Sequence, residues 1–513
     1  MRRYLYLAHR WLGIALCAFM AMWFVSGVVM MYVGYPKLTP AERLAAAAPL
    51  ALPVGAAPLS KIFAAPGRST APREIVLATV GGQPRWILDY GKAGRVAVDA
   101  VSGTPVSPTG PQHAALSASA WARGATVDYV DSVDEDAWTH SRALDAHRPI
   151  HRVDVRDEAG TRLYVSSRTG EVVRDATRIE RTWNWMGAWI HWLYPFRGGS
   201  IDAAWHDIVV WVSVAGTLLA ATGLVVGVWR WRFGRPYSSG ARTPYHDRSR
   251  RWHHVAGLIF GAVATTWIAS GLFSMNPWRM FTSPAPPLDT AAFTGGDLTA
   301  AAWVLSPTDA IHHLVSLGFE VRELELRRFD GKGWYVAYNG SGASRILAAT
   351  PDARPVERLD PVVVAHAGAR LVPNARVVRT MVLDGYDAYW YARASHTMTG
   401  HVERRLPVVR LVFDDPYGTW VHLDPATASV AGRLDRLGRV KRWAFAFLHS
   451  VDWWPLVSRR PAWDLLLIAL SIGGAAISVT GVVIGWRRLR GTVPVVRRVA
   501  PPLSATGVSG TTR

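Results

Sequence analysis

The chain has 513 residues, of which 50% are hydrophobic and 19% are charged, and its length suggests about three structural units. Four stretches of 21 or 22 residues contain no Asp, Glu, Lys, Arg or His: Leu12–Val33, Ile208–Val228, Val255–Met275 and Leu465–Trp486. A bilayer core about 30 Å thick needs about 20 apolar residues in a helix. Each stretch is therefore predicted to span a membrane, which excludes a soluble enzyme and a disordered chain.

The net charge of +19 is concentrated in short pieces beside these stretches. Segments 1–11, 229–254 and 487–513 hold 16 basic residues and one acidic residue, whereas the rest of the chain holds 41 and 37. Lys and Arg are enriched in cytoplasmic loops of membrane proteins. The distribution predicts that both termini and the middle connector are cytoplasmic, and it argues against nucleic acid as a partner.

The chain contains one cysteine, Cys17. A single cysteine excludes a disulfide framework, a cysteine-based zinc or iron–sulfur site, and covalent haem attachment. The first apolar run is longer than the core of a typical signal peptide, and no A-x-A cleavage site follows it. We therefore expect it to be retained as a membrane anchor.

These observations divide the chain into eight predicted segments. They are a first transmembrane helix in 1–33, an outside domain with an interfacial helix in 34–204, a second transmembrane helix in 205–232, a basic cytoplasmic loop in 233–251, a third transmembrane helix in 252–276, a second outside domain in 277–463, a fourth transmembrane helix in 464–488 and a cytoplasmic tail in 489–513.

Each outside segment shows alternating apolar and polar residues bounded by turns, which is typical of strands. The predicted strand regions are 85–90, 95–106, 161–173, 333–339, 408–415 and 419–430. Helical patterns lie between them at Pro307–Leu317 and Pro361–Leu371. The outside segments are therefore predicted to be small α+β modules.

Two constant shifts reveal an internal repeat. A shift of 244 places His9, Trp23, Ser26, Gly27 and Met31 on His253, Trp267, Ser270, Gly271 and Met275. A shift of 258 places Pro149, Arg152, Gly160, Thr169, Val172, Arg181, Trp185, His191, Gly223 and Gly227 on Pro407, Arg410, Gly418, Thr427, Val430, Arg439, Trp443, His449, Gly481 and Gly485. Both copies begin inside, so we expect a parallel duplication with a pseudo-two-fold axis along the membrane normal.

The repeat keeps two pairs of histidines at the membrane edges. His9 and His253, the inner pair, lie on the predicted cytoplasmic side, and His191 and His449, the outer pair, lie on the outer side. Haem iron accepts two axial imidazoles on opposite faces of a flat apolar ring. The pattern predicts two non-covalent b haems bound between helices. The alternative is that these histidines are polar residues of the membrane interface.

Other histidines are weaker candidates. His206 lies at the start of the second span and is a reserve ligand, as is His254, which lies about 100° round the helix from His253. His191 is expected on a short interfacial helix, Arg181–Tyr194. His396 and His401, near Asp384 and Asp387, have the residue types of a metal or ferric-complex site, although loop polarity is the commoner explanation for such residues. The sequence contains no HExxH, GxSxG or P-loop motif.

Several motifs carry a resemblance to a known family. "AHRWLG" at 8–13, "RRWHHVAG" at 250–257 with "WIASGL" at 267–272, and the hairpin "VDAVSGTPV" at 98–106 resemble the bacterial PepSY-associated transmembrane proteins, often called iron-regulated membrane proteins. The hairpin glycine is kept at Gly103 and Gly170 and is replaced by Ala353 and Ala428 in the second copy.

The resemblance implies a fold and a location. The fold is a membrane α-helical bundle of four helices, built from a parallel internal duplication, with two periplasmic α+β, PepSY-like domains. The location is the bacterial inner membrane. The best-understood branch comprises ferric-siderophore reductases with two b haems, and its helix-edge histidines correspond to His9, His253, His191 and His449.

Three functions remain as hypotheses. The first is a haem-dependent reductase that passes electrons from an unidentified cytoplasmic or membrane donor to a periplasmic ferric chelate, such as a siderophore. The second is a non-enzymatic protein that binds or regulates a periplasmic partner such as a protease. The third, transport of iron or a siderophore, is disfavoured because no apolar stretch is broken at its centre.

Overall fold

The computed structural model describes residues 2–197 and 199–491, without the side chains of residues 199 and 200. Within these ranges four helices are long and apolar enough to cross a membrane. We call them the first, second, third and fourth spans: Arg2–Met30, Ile201–Arg230, Arg248–Ser274 and Ala462–Leu489. The chain is therefore a multi-pass membrane protein whose spans imply a lipid bilayer around them. Residues 492–513 of the predicted tail lie outside the described residues.

The four spans form a closed bundle. The first span packs against the second and the fourth, and the third span packs against the same two neighbours. Small residues allow this close packing. A Cβ atom on Gly473 or Gly474 of the fourth span would overlap the ring of Phe260 or Phe24. The first and third spans consequently lie diagonally opposite each other.

Fourteen strands form three antiparallel sheets in the described residues. In chain order they are β1 (Glu74–Val80), β2 (Gln83–Asp89), β3 (Arg95–Asp99), β4 (Val127–Val133), β5 (Ile150–Val155), β6 (Arg162–Ser166), β7 (Val172–Ala176), β8 (Glu323–Phe329), β9 (Lys332–Tyr338), β10 (Ser344–Ala348), β11 (Val377–Leu383), β12 (Val408–Phe413), β13 (Trp420–Asp424) and β14 (Ser429–Leu434).

The largest sheet is shared between the two long segments. Its order is β10-β9-β8-β1-β2-β3, and β1 pairs with β8 antiparallel, with Leu77 opposite Leu324. The sequence predicts two separate outside domains, whereas the structure joins them through this pairing. The physical reason is that each three-stranded meander would otherwise leave an edge of unpaired backbone groups.

Each segment also has a four-stranded sheet of its own, β4-β5-β6-β7 in the first and β11-β12-β13-β14 in the second. The helix Pro111–Trp121 packs on the first of these sheets, and the helix Pro361–Gly368 packs on the second. A buried core of Val364, Leu411 and Leu423 fills the second contact. Each sheet with its helix forms a module, and the helices that begin at Arg178 and Arg436 follow the last strands of the two modules.

Ten short α-helices complete the described segments. They are Pro40–Ala46, Leu59–Ala64, Pro111–Trp121, Arg178–Asn184, Thr290–Thr294, Pro307–Ser316, Pro361–Gly368, Arg436–Lys441, Leu448–Ser450 and Trp454–Val457. The two helices expected at Pro307–Leu317 and Pro361–Leu371 are present with slightly earlier ends.

The hairpin turn after β6 and its counterpart after β13 have the same backbone conformation. Gly170 has φ +77°, and Ala428, which the shift of 258 aligns with it, has φ +50°. This left-handed conformation costs an alanine roughly 1–2 kcal/mol relative to glycine. The loss of the glycine in the second copy has therefore not changed the shape of the turn.

A buried histidine makes the second module sensitive to acid. His422 is 1% exposed, and its Nε2 accepts a hydrogen bond of 2.7 Å from Arg410 Nε. Burial, reinforced by Arg410, lowers the pKa of His422 to about 3. The imidazole of the unfolded chain binds a proton near pH 6.5, whereas that of the folded chain does so only near pH 3. His422 therefore leaves the free energy of unfolding unchanged above pH 6.5. Between pH 6.5 and 3 it lowers that free energy by up to about 1.4 kcal/mol per pH unit.

We expect H422Q, which retains an acceptor for Arg410, to lose less stability on acidification than the parent protein. The measurement is urea unfolding of the full chain in detergent at pH 7.5 and pH 4.5, followed by tryptophan fluorescence. The exposed His312 gives the matched control H312Q. Equal acid sensitivity in all three proteins would contradict the assignment to His422.

Two histidine pairs at the ends of the helix bundle

The inner pair meets across the centre of the bundle. His9 is on the first span and His253 is on the third. Their ring centroids are 6.1 Å apart, with an angle of 39° between the ring planes. This approach follows from the diagonal placement of the two spans.

Both inner imidazoles are held by backbone carbonyls of a neighbouring span. His9 Nδ1 donates to Leu219 O at 3.1 Å, and His253 Nδ1 donates to Ile477 O at 3.0 Å. A carbonyl oxygen can only accept, so the proton is on Nδ1 in both rings. Each Nε2 therefore carries a lone pair, which is the form of imidazole that binds a metal.

A glycine lies beneath each inner ring. A Cβ atom on Gly223 of the second span would be 2.5 Å from His9 Cε1, and one on Gly481 of the fourth span would be 3.4 Å from His253 Cε1. The first distance is shorter than real Cβ contacts, whereas the second is nearly ordinary. The absence of a side chain at Gly223 therefore leaves the space that the His9 ring occupies.

The outer pair is carried by two interfacial helices that share an irregular form. Each begins as an α-helix, at Arg178–Asn184 and at Arg436–Lys441, and continues as a π-helical segment, at Trp185–Trp189 and at Arg442–Phe447. The histidine follows two residues later in both. The sequence predicts one short helix, Arg181–Tyr194, whereas the structure has an α-helix that begins at Arg178 and a π-helical segment with a non-helical backbone at Gly187. π-Helical turns are frequent at functional sites.

Each of these helices ends at a non-glycine residue in the left-handed conformation. Leu193 has φ +54° and Val451 has φ +46°, and each lies two residues after the histidine. Such a φ is rare for a bulky or β-branched residue. Strain of this kind persists only where surrounding packing holds the residue in place, and it clusters at functional sites.

The outer imidazoles repeat the arrangement of the inner ones. The ring centroids of His191 and His449 are 6.3 Å apart. His191 Nδ1 is 2.9 Å from Ser26 Oγ, and this hydroxyl donates to Met22 O, so it accepts from the imidazole. His449 Nδ1 donates to Trp267 O at 3.1 Å and lies 3.2 Å from Ser270 Oγ. Nε2 is again the nitrogen with a lone pair.

Burial keeps both outer rings uncharged. Removal from water, with the neighbouring His449, lowers the pKa of His191 to about 3. Burial also lowers the pKa of His449. Both imidazoles are therefore neutral at physiological pH, and a metal ligand must be neutral imidazole.

The separation within each pair fits one iron between two imidazoles. An imidazole nitrogen binds a first-row metal ion at about 2.0 Å and lies about 1.1 Å from its ring centroid, so two axial imidazoles have centroids about 6.2 Å apart. The measured separations are 6.1 and 6.3 Å. The centroid separation within each pair therefore suits one metal ion between its two imidazoles.

Comparison with known protein families identifies the family of the chain. A family model for the PepSY-associated TM region matches residues 6–488. The chain belongs to this family. No curated protein matches it. Its four spans and its α+β sheet regions agree with a PepSY membrane protein.

The two reserve histidines do not join either pair. His206 Nε2 lies 3.0 Å from Met275 O, and its Nδ1 lies 3.2 Å from Asp207. His254 is buried and bonds Gly227 and Thr243 through its two nitrogens. Protein partners therefore engage both ring nitrogens of each reserve residue.

The loop histidines are likewise engaged by the protein. His396 Nε2 is 2.8 Å from Met31 O, and Asp387 accepts from Arg410 at 2.6 Å. Among residues 2–197 and 199–491, no cluster of three or more His, Cys, Asp or Glu side chains has a metal-binding arrangement.

Sequence reasoning found the four imidazoles but missed the groups that orient them. The repeat alignment contained a signal for Ser26 and Ser270 and for Gly223, which recurs at Gly481. The acceptors Leu219 and Ile477 act through backbone oxygens, which carry no residue-type signal.

We predict unequal effects of the two serines on the outer site. In the described residues, Ser26 Oγ is the acceptor within reach of His191 Nδ1, whereas His449 Nδ1 also has Trp267 O. Loss of such an orienting partner typically weakens metal binding by about 10–100-fold. If the outer pair holds a haem, S26A should therefore weaken its retention by roughly ten-fold or more, and S270A by less.

Retention is measured as the rate of haem transfer to apomyoglobin. Ser274→Ala, also on the third span, is the matched control because Ser274 bonds Gly271 O rather than a histidine. Equal effects of S26A and S270A would contradict the prediction.

Proposed function

We propose that this protein is an inner-membrane oxidoreductase that uses two non-covalent b haems to reduce a ferric chelate, such as a siderophore, in the periplasm for iron uptake. The observation that carries the proposal is the presence of two imidazole pairs, each with both Nδ1 protons engaged and a separation suited to one iron.

In this proposal His9 and His253 hold one haem, and His191 and His449 hold the other. Bound haem iron would supply a one-electron couple. The Nδ1 hydrogen bonds fix the orientation of each ring and raise the basicity of Nε2. His9 and Ser26, which orients His191, are 17 positions apart on the first span, which is roughly 25 Å of helix. The two sites therefore serve opposite faces of a membrane.

We also propose a parallel duplication with cytoplasmic termini and periplasmic modules. The register of the shared sheet supports it. Strands β1 and β8 have the same length, and a shift of 249 residues aligns one with the other. Under this shift Val76 corresponds to Glu325, and these two residues lie opposite each other in the sheet. The arginine-rich connector and chain ends support the orientation.

Reduction of the iron would release it from the chelate. Hard oxygen donors, as in many siderophores, bind Fe(III) far more tightly than Fe(II), so a single electron lowers the affinity of the chelate. The electron comes from a cytoplasmic or membrane donor.

The test is optical and EPR spectroscopy of the purified full chain. The expected result is two haems per chain with low-spin, bis-imidazole signals, and reoxidation of the dithionite-reduced protein by ferrioxamine or another ferric chelate. Absence of haem would overturn the proposal and favour the non-enzymatic alternative, in which the spans anchor modules that bind a partner such as a protease.

A further inference from the structure

His254 follows the inner ligand candidate His253, and both of its ring nitrogens are committed. Nε2 is 2.8 Å from Gly227 O, and Nδ1 is 2.8 Å from Thr243 Oγ1. Since the carbonyl can only accept, Nε2 donates, and Nδ1 must accept from the Thr243 hydroxyl. The ring therefore links the third span, the second span and the connector between them.

We call residues 231–245 of the connector the strap. Its first and last residues both contact His254. The rings of Trp231 and Tyr245 lie edge-on to His254, at centroid distances of 5.8 and 5.4 Å. Within the strap, Arg232 N donates to Arg242 O at 3.0 Å. Thr243 and His254 are 4% and 6% exposed, so the two ends meet in a buried contact.

The strap lies beside the inner pair. Gly223 packs against His9 and Gly227 binds His254, and these glycines are one helical turn, or about 6 Å, apart. The strap residue Tyr237 donates to Arg230 O. The guanidinium of Arg230 lies 5.3 Å from the ring centroid of Tyr6, three residues before His9. The strap thus contacts the second and third spans at the end that carries the inner pair, and Arg230 of the second span contacts the first span there.

We propose that His254 is a positioning residue that holds the strap over the cytoplasmic edge of the inner pair and keeps water and small ligands away from it. It is not a ligand, because neither nitrogen is free to bind iron. The shielding part rests on the proposed function, whereas the hold on the strap does not. Solvent exposure of a haem favours the charged ferric state, so release of the strap lowers the midpoint potential of the inner haem.

The first test is limited trypsin digestion of the full chain in detergent, since the seven arginines between 230 and 251 report access to the connector. H254A removes two buried hydrogen bonds and should speed cleavage there by about ten-fold or more. H254Q keeps a donor for Gly227 O, and T243V removes only the hydroxyl, so both should have smaller effects. H206A, at an exposed histidine, should cleave like the parent. Equal protection in H254A and the parent overturns the proposal.

The second test is a redox titration of the haem-loaded protein. H254A should lower the potential of one haem, while H206A leaves both potentials unchanged. A released strap with unchanged potentials overturns the shielding role. Absence of haem in the parent overturns both the proposed function and the shielding role, and digestion still decides whether His254 holds the strap.

Discussion

H191A is expected to lower the haem content of the purified protein from two to one per chain. The outer site would keep only His449, and a single imidazole leaves one axial position of the iron without its protein ligand. H449A should give the same result, because the two rings form one pair at 6.3 Å. The pyridine haemochrome assay, normalised to protein, measures the ratio.

The remaining haem should retain a low-spin, bis-imidazole EPR signal. His9 and His253 are held by Leu219 O and Ile477 O, which do not bond the outer pair. H206A is the matched control at a membrane-edge histidine outside both pairs. Loss of both haems, or of neither, in H191A would contradict the pairing across the two halves.

G223A is expected to have a comparably large effect on the inner site. A Cβ atom at this position would be 2.5 Å from His9 Cε1, so the imidazole must shift, which would strain its hydrogen bond to Leu219 O. Overpacking of this kind typically costs about 1–3 kcal/mol, and it would move Nε2 away from the axis of the pair. We expect one haem to be lost or bound at least ten-fold more weakly.

Gly27 provides the matched control for this substitution. It lies on the first span beside His191 of the outer pair, and a Cβ atom there would be 3.7 Å from His191 Cε1, an ordinary contact. G27A should therefore keep both haems. Haem content and the transfer rate to apomyoglobin are measured for both variants. If G223A behaves like G27A, the glycine is not a support for the ring.

Much of the membrane part was predictable from local sequence. Some 20 residues without charge can only be accommodated in a bilayer as a helix, which identified all four spans. The repeat shift aligned His9 with His253 and His191 with His449. Residue type and spacing were sufficient there because both signals are local.

The external modules were predictable only in part. Alternation of apolar residues located strands such as β2 and β9. It did not reveal that β1 pairs with β8 across the two segments. Strand alternation reports which face is buried, and it carries no information about which edge a strand will join.

The sequence by itself determined the four spans, the charge asymmetry and which histidines recur, because these depend on residue type along the chain. Only the tertiary structure decided which way each imidazole points, since the acceptors at Leu219 and Ile477 are backbone oxygens of another helix. It also separated His253 from its neighbour His254, whose two nitrogens are taken by Gly227 and Thr243. Adjacent residues on a helix face different neighbours, and only packing of the spans reveals them.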